Sequence, residues 1–112
     1  MTWKVEEYIA ANGSIPYRDW FDDLHVLAGA KVATAVLRME MGNTSSVKWF
    51  GGIDDYRINW ERGYRIYLTR DGDKLILLFT GGKKASQKSD IRRAIQLKDE
   101  YRARSARLSK AS

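Results

Sequence analysis

The sequence predicts a small α+β fold: an antiparallel sheet of about four strands, two N-terminal helices and one C-terminal helix. Three patterns carry that expectation. Apolar residues recur at helical spacing between residues 16 and 41, three strand-like runs fill residues 56 to 80, and a basic amphipathic run follows residue 86. A chain of 112 residues suffices for one domain and is too short for two, and a domain of that size buries roughly two-thirds of its unfolded surface. Residues 1–112 are therefore read as a single domain.

The first strand is "WKVEEYIA", which alternates loosely at Trp3, Val5 and Ile9 and stops at the turn signal Asn12-Gly13. Pro16 suits the first turn of a helix carrying Tyr17, Trp20, Phe21 and Leu24. A second helix follows from Val26 to Met41, its apolar stripe expected at Val26, Ala30, Ala33, Leu37 and Met41 and its stop at Gly42-Asn43. His25 lies between the two helices, where a capping or surface role is expected. "VKWF" reads as a short strand. The runs Tyr56 to Trp60, Tyr64 to Arg70 and Lys74 to Thr80 form a meander, joined by "ERG" and by Asp71-Gly72, a strong hairpin signal. Ser86 or Ser89 caps the last helix, whose apolar positions are Ile91, Ala94, Ile95, Leu97 and Tyr101. Beyond residue 104 small residues and dispersed charge predict fraying over 105–112.

Composition excludes several function classes. With no cysteine and one histidine there is no disulfide framework, thiol nucleophile, thiolate metal site or histidine pair, so no metal and no cofactor are expected. No stretch approaches the roughly 18 apolar residues that cross a bilayer. "MTWKVEEYIA" carries acidic residues where a secretory signal is basic. A cytoplasmic protein with no membrane partner is expected. The net charge of +6 is uneven: from Lys83 onward ten basic and three acidic residues give +7, and the preceding 82 residues, with ten basic and eleven acidic, give −1. Such a cluster attracts phosphate backbones or an acidic partner. It is equally readable as the solvated face of a helix.

The run "YRINWERGYRIYLT" at 56–69 raises the functional question, because arginines sit inside strand pattern. If residues 61–63 form the loop, Trp60 faces Tyr64, Asn59 faces Arg65, Ile58 faces Ile66 and Arg57 faces Tyr67. Strand alternation then puts Tyr56, Ile58, Trp60, Tyr64, Ile66 and Leu68 on one apolar face under the N-terminal helices, and Arg57, Asn59, Arg65 and Tyr67 on the other, open face. Guanidinium groups fork onto phosphate oxygens, and a tyrosine can stack on a base or carry a proton. "GGKK" leaves the third strand toward them with Lys83 and Lys84. The alternative is that Arg57 and Arg65 pair with Asp54, Asp55 or Glu61, or lie over the sheet with their heads in water.

The run "DDYRINWERGYRIYLTRDGDKLILLFTGGKKASQKSDIRRAIQLKDEYR" resembles the RelE/ParE superfamily of type II toxin–antitoxin toxins, and within it the HigB-like branch of addiction module killer proteins. The "GYRIY" strand, the D-G hairpin, the Gly-Gly-Lys-Lys exit and the "DIRRA" helix carry the likeness in order and spacing. It covers nearly the whole chain. The resemblance implies a RelE-like fold and a toxin held inactive by a helix-turn-helix, HigA-like antitoxin whose complex binds operator DNA. It also implies metal-independent cleavage of mRNA, commonly on the translating ribosome. Arg65 matches the family's strand arginine, Arg57 a basic position on the preceding strand, and Lys84 the basic residue after the Gly-Lys turn. Two positions depart from the family pattern: Asn59 stands where ribonuclease members carry a second lysine, and Asp90 lies near the position of their proton-transferring tyrosine.

Such a ribonuclease needs a base for the ribose 2′-hydroxyl, cations for the phosphorane charge and an acid for the leaving 5′-oxygen. Arg65 is the first choice for the charge, with Arg57 beside it, and Tyr67, Asp90 or Lys84 are the candidates for proton transfer. Arg57 is no base, since arginine stays protonated in proteins. Asn59, Lys83, Lys88, Arg92 and Arg93 are expected to bind RNA. Two other readings stay open: a gyrase poison of the ParE type, and a non-catalytic antitoxin-binding module in operon autoregulation.

Overall fold

The computed structural model describes residues 2–111. Strand β1 spans Lys4–Glu7, helices α1 and α2 span Pro16–Asp22 and Val26–Glu40, and strands β2 to β5 span Val47–Lys48, Asp54–Ile58, Tyr64–Asp71 and Leu75–Lys83. A 3-10 turn over Lys84–Ser86 leads into helix α3, Gln87–Ala111. The domain is α+β as expected, with five strands in the order β1-β5-β4-β3-β2. The sheet is mixed, not antiparallel: β1 runs parallel to β5, pairing Lys4 with Leu75 and Glu7 with Leu78. The two helices carry the chain from one edge of the sheet to the other, and the meander brings it back.

Local chemistry explains the boundaries. Pro16 occupies the first turn of α1, where its missing N–H costs nothing. His25 caps α2, its Nδ1 accepting from the Leu27 N–H at 3.3 Å. Gly42 ends that helix at φ +93°, a conformation that only glycine adopts freely; its N–H donates to the Met39 carbonyl, and the Asn43 N–H to that of Arg38.

The two faces of the sheet carry separate cores. Under α1 and α2 lie Tyr56, Ile66, Leu68, Ile76 and Leu78 with Tyr17, Val32, Ala35 and Met39. Under α3 lie Tyr67, Leu77 and Phe79 with Ala94, Leu97 and Tyr8. The second face, expected to be open, is thus covered by α3. The stripe expected on α2 is also corrected: Ala28, Val32, Ala35 and Met39 are buried, while Val26, Leu37 and Met41 are 81%, 55% and 70% exposed. Both stripes are apolar, and the one carrying Val32, Ala35 and Met39 packs on Tyr56, Ile66, Leu68, Ile76 and Leu78 of the sheet.

The β3–β4 register is Asp55↔Tyr67, Arg57↔Arg65 and Ile58↔Tyr64, two residues away from the expected pairing. The connection is Asn59–Gly63, with Glu61 and Gly63 at positive φ, so Asn59 and Trp60 fall outside the ladder. A slip of two leaves each remaining side chain on its expected face. The β4–β5 hairpin closes at Asp71↔Leu75, which places residues 72–74 in the turn with Gly72 at φ +70°. Helix α3 continues to Ala111, so the segment expected to fray is helical as far as 111.

The α2 faces give a direct test. Met39→Ala should lower unfolding free energy by about 2–5 kcal/mol, whereas Leu37→Ala should stay within about 0.5 kcal/mol, both read by urea titration. Equal losses would put the wrong stripe in the core.

Candidate functional site

The site forms where β4 and β5 end and α3 begins. Arg65 pairs across the ladder with Gly82, and the missing side chain of Gly82 is occupied from above. A Cβ there would lie 1.8 Å from Asp90 Oδ2 and 2.6 Å from its Cγ. Gly81 is filled from the opposite face in the same way, since its Cβ would lie 2.4 Å from the Trp20 ring. The two glycines are therefore inside β5 with one close neighbour on each face, rather than a flexible exit. Asp90, in the first turn of α3, is held over Gly82 by the Ser86 hydroxyl, which donates to Oδ2 at 2.5 Å.

This brings Arg65, Tyr67 and Asp90 to one place. Tyr67 is fully buried, and its hydroxyl lies beside the Arg65 guanidinium without a well-aligned hydrogen bond to it; neither that hydroxyl nor one buried Arg65 Nη has another partner. Among the described residues no carboxylate lies within ion-pairing distance of Arg65. Burial pushes the Tyr67 phenol above its ordinary pKa, the neighbouring Arg65 guanidinium pulls it back as a donor and as a charge, and Asp90 and Asp55 raise it. Arg57 is the cross-strand neighbour of Arg65, but its Nε donates to Oδ1 of the buried Asp55 at 3.1 Å. One of the two arginines is thus paired, as the alternative reading of the strand had it, and the other is free.

Lys84, Lys88 and Arg92 form an exposed basic rim with Ser86 and Ser89 around a depression of about 380 Å³ at the start of α3. Three expected residues fall elsewhere. Lys83, opposite Tyr64, is on the α1–α2 face, its Nζ 5.9 Å from the Tyr64 ring centroid. Asn59 lies past the end of β3, in a groove against α2. Arg93 is on the flank of α3 facing Glu100, whose carboxyl pKa it helps hold down.

The structure adds residues that sequence reasoning did not assign to the site. Asp55 fixes Arg57. Phe50 is exposed and sits under the Arg57 guanidinium at 5.7 Å, beside a groove of about 390 Å³ that Gln87, Ile91 and Ile95 also line. The loop bearing Phe50 is tied down twice. Asp54 accepts from the Phe50 and Gly51 N–H groups at 2.7 and 3.2 Å, and the buried Lys98 donates to the Gly51 and Gly52 carbonyls. A lysine at an apolar position of α3 was the available signal. Among the described residues no group of three or more His, Cys, Asp or Glu side chains could hold a metal ion, and no helix is long and apolar enough to cross a membrane.

The raised Tyr67 pKa has a signed consequence. The native phenol keeps its proton at pH values where the unfolded one loses it. Its contribution is therefore complete below the unfolded value near 10 and is lost as pH rises through the native pKa, by up to about 1.4 kcal/mol per pH unit. Tyr67→Phe should be near neutral at pH 7, because it removes an unpartnered buried hydroxyl, and should lose stability less steeply above pH 10. Urea titrations from pH 7 to 11 check this; parallel slopes for the two proteins would refute it.

No family model matches the chain. An uncharacterized protein of Haemophilus influenzae is 34% identical over 89 residues, which make up 78% of this chain and 90% of that protein. Identity of that extent over most of both chains requires a shared fold and a shared set of elements, and the chain belongs to the same family as this Haemophilus influenzae protein.

Proposed function

We propose that the protein is a RelE-like toxin of the HigB-like branch: a metal-independent endoribonuclease that cuts mRNA in the cytoplasm, on the ribosome, and is neutralised by a helix-turn-helix antitoxin. The observation that carries this reading is the free Arg65 guanidinium facing Asp90 across Gly82, beside the basic rim of Lys84, Lys88 and Arg92. A half-buried guanidinium with no carboxylate partner and one unpartnered Nη keeps a strong donor in reserve, and a phosphate oxygen satisfies it.

The residues divide the work as follows. The rim holds the phosphodiester backbone. Asp90, anchored by Ser86, accepts the proton of the ribose 2′-hydroxyl as that oxygen attacks the adjacent phosphorus in line. Arg65 donates to the equatorial oxygens as charge builds on the phosphorane, in a partly dry setting where such donors act most strongly. Lys84, exposed two residues beyond Gly82, is the cation assigned to protonate the leaving 5′-oxygen, and a cyclic 2′,3′-phosphate results. Tyr67, with its hydroxyl buried and its pKa raised, is a positioning residue for Arg65 rather than a proton carrier. Arg57, tied to Asp55, contributes field and shape.

Induction in a bacterial host without antitoxin should arrest growth and create new mRNA 5′ ends within minutes. Arg65→Ala should reduce those ends by about 10²–10³-fold, and Asp90→Asn by about 10²–10⁴-fold, with both variants folded by circular dichroism. Arrest with a DNA-damage response and unchanged mRNA ends would move the target to gyrase. Harmless expression of the wild type would leave an antitoxin-binding module.

A further inference from the structure

The cationic surface does not end at the α3 rim. Between α2 and the free end of β3 lies a second groove, of about 330 Å³, with no acidic side chain in its lining. Lys31 and Arg38, seven residues apart on α2, line one wall, and Arg57, Asn59 and Trp60 line the other. Ser46 also lines it, and the Lys31 Nζ stands 6.0 Å from the Trp60 ring centroid. Among the described residues neither Lys31 nor Arg38 forms an ion pair. Two uncompensated positive charges, Lys31 and Arg38, are therefore gathered in one depression, with Arg57 at its edge turned toward Asp55 and Phe50. This lies in the part of the chain whose net charge is negative, so the gathering is a product of folding and not of composition.

We infer that this groove binds the backbone of single-stranded RNA away from the cleavage point, with one nucleobase against Trp60. Cations spaced along a channel with an aromatic side wall are what a flexible polyanion with stackable bases requires. The apolar lining, from Ala35, Ile58 and the rings of Tyr56 and Trp60, is interrupted by the cations and polar side chains and offers little to the hydrophobic face of a protein helix. Continuity gives the direction. Arg57 lines both this groove and the one beside Phe50, and it is the cross-strand neighbour of Arg65. The groove lies on the α2 side of the sheet and the Arg65 site on the α3 side, so a strand passing from one to the other rounds the end of β3 at Arg57. The inference rests on the ribonuclease reading for the identity of the polyanion.

The test measures binding separately from cleavage. A fluorescein-labelled, uncleavable 2′-O-methyl oligoribonucleotide is titrated with the full chain by anisotropy across a range of salt concentrations. Lys31→Ala and Arg38→Ala lie on exposed positions of α2 and keep its helix propensity. Each should reduce the slope of log affinity against log salt by about 0.7. Together they should weaken binding on the order of tenfold at moderate salt, while Lys74→Ala, on the far hairpin, should leave the slope unchanged. Trp60→Leu should weaken binding at every salt concentration without changing the slope.

Wild-type slope and affinity in the Lys31→Ala, Arg38→Ala double variant would overturn the groove and leave the ribonuclease reading standing. Loss of RNA binding in that variant, alongside a wild type that makes no new mRNA ends, would keep the groove and remove the ribonuclease. A wild type that ignores RNA but binds polyglutamate through Lys31 and Arg38 would overturn the inference in favour of an acidic protein segment.

Discussion

Strand β5 is the member of the sheet on which everything else is assembled, and what makes it so is close approach at two adjacent glycines. It pairs with β4 on one side and β1 on the other, and it is covered from below by α1 and from above by α3. At Gly81 and Gly82 those covers come within contact of the backbone itself, Trp20 on one face and Asp90 on the other. A methyl group at either position would displace an aromatic ring or a carboxylate. The placement of Asp90 opposite Arg65 follows from sterics before any charge is considered.

The electrostatics of the site then follow from burial. Tyr67 lies in the α3 core because β4 alternation sends it there, and the same alternation sends Arg65 toward the same face two residues earlier, where α3 has only begun. One hydroxyl and one guanidinium nitrogen are left without partners, at a cost of about 1–3 kcal/mol each. Arg57 escapes that cost through Asp55. The domain thus tolerates an unsatisfied donor at one of two neighbouring arginines.

Much of this was legible in residues 56 to 91. Period-two alternation assigned the faces correctly, and it survived a two-residue error in register because such a slip conserves face. Periodicity could not choose between the two apolar stripes of α2, since Val26, Ala30 and Leu37 are as suitable as Ala28, Val32 and Met39 until the sheet's shape decides. The parallel pairing of β1 with β5 joins segments about seventy residues apart, and no local pattern encodes such a contact. Lys83 was misplaced for the simplest reason: adjacent lysines in extended chain point to opposite faces, so only Lys84, starting a new turn, joins the rim. The groove at Lys31 and Arg38 was invisible because its walls come from distant segments, each unremarkable alone.

The parallel edge strand has a consequence for how the protein comes into being. During synthesis Lys4–Glu7 leaves the ribosome before any other strand of this sheet, and its hydrogen-bonding partner, Leu75–Leu78, follows about seventy residues later. Until then β1 has no ladder to join, and α1 and α2 have no sheet beneath them. Asp90 follows later still. Assembly of the sheet is therefore a non-local event with the slow closure such topologies impose, and the Arg65–Asp90 arrangement is absent until α3 has begun to emerge. Any agent that captures the chain during this interval, before β5 emerges, meets separate helices and strands rather than a finished surface.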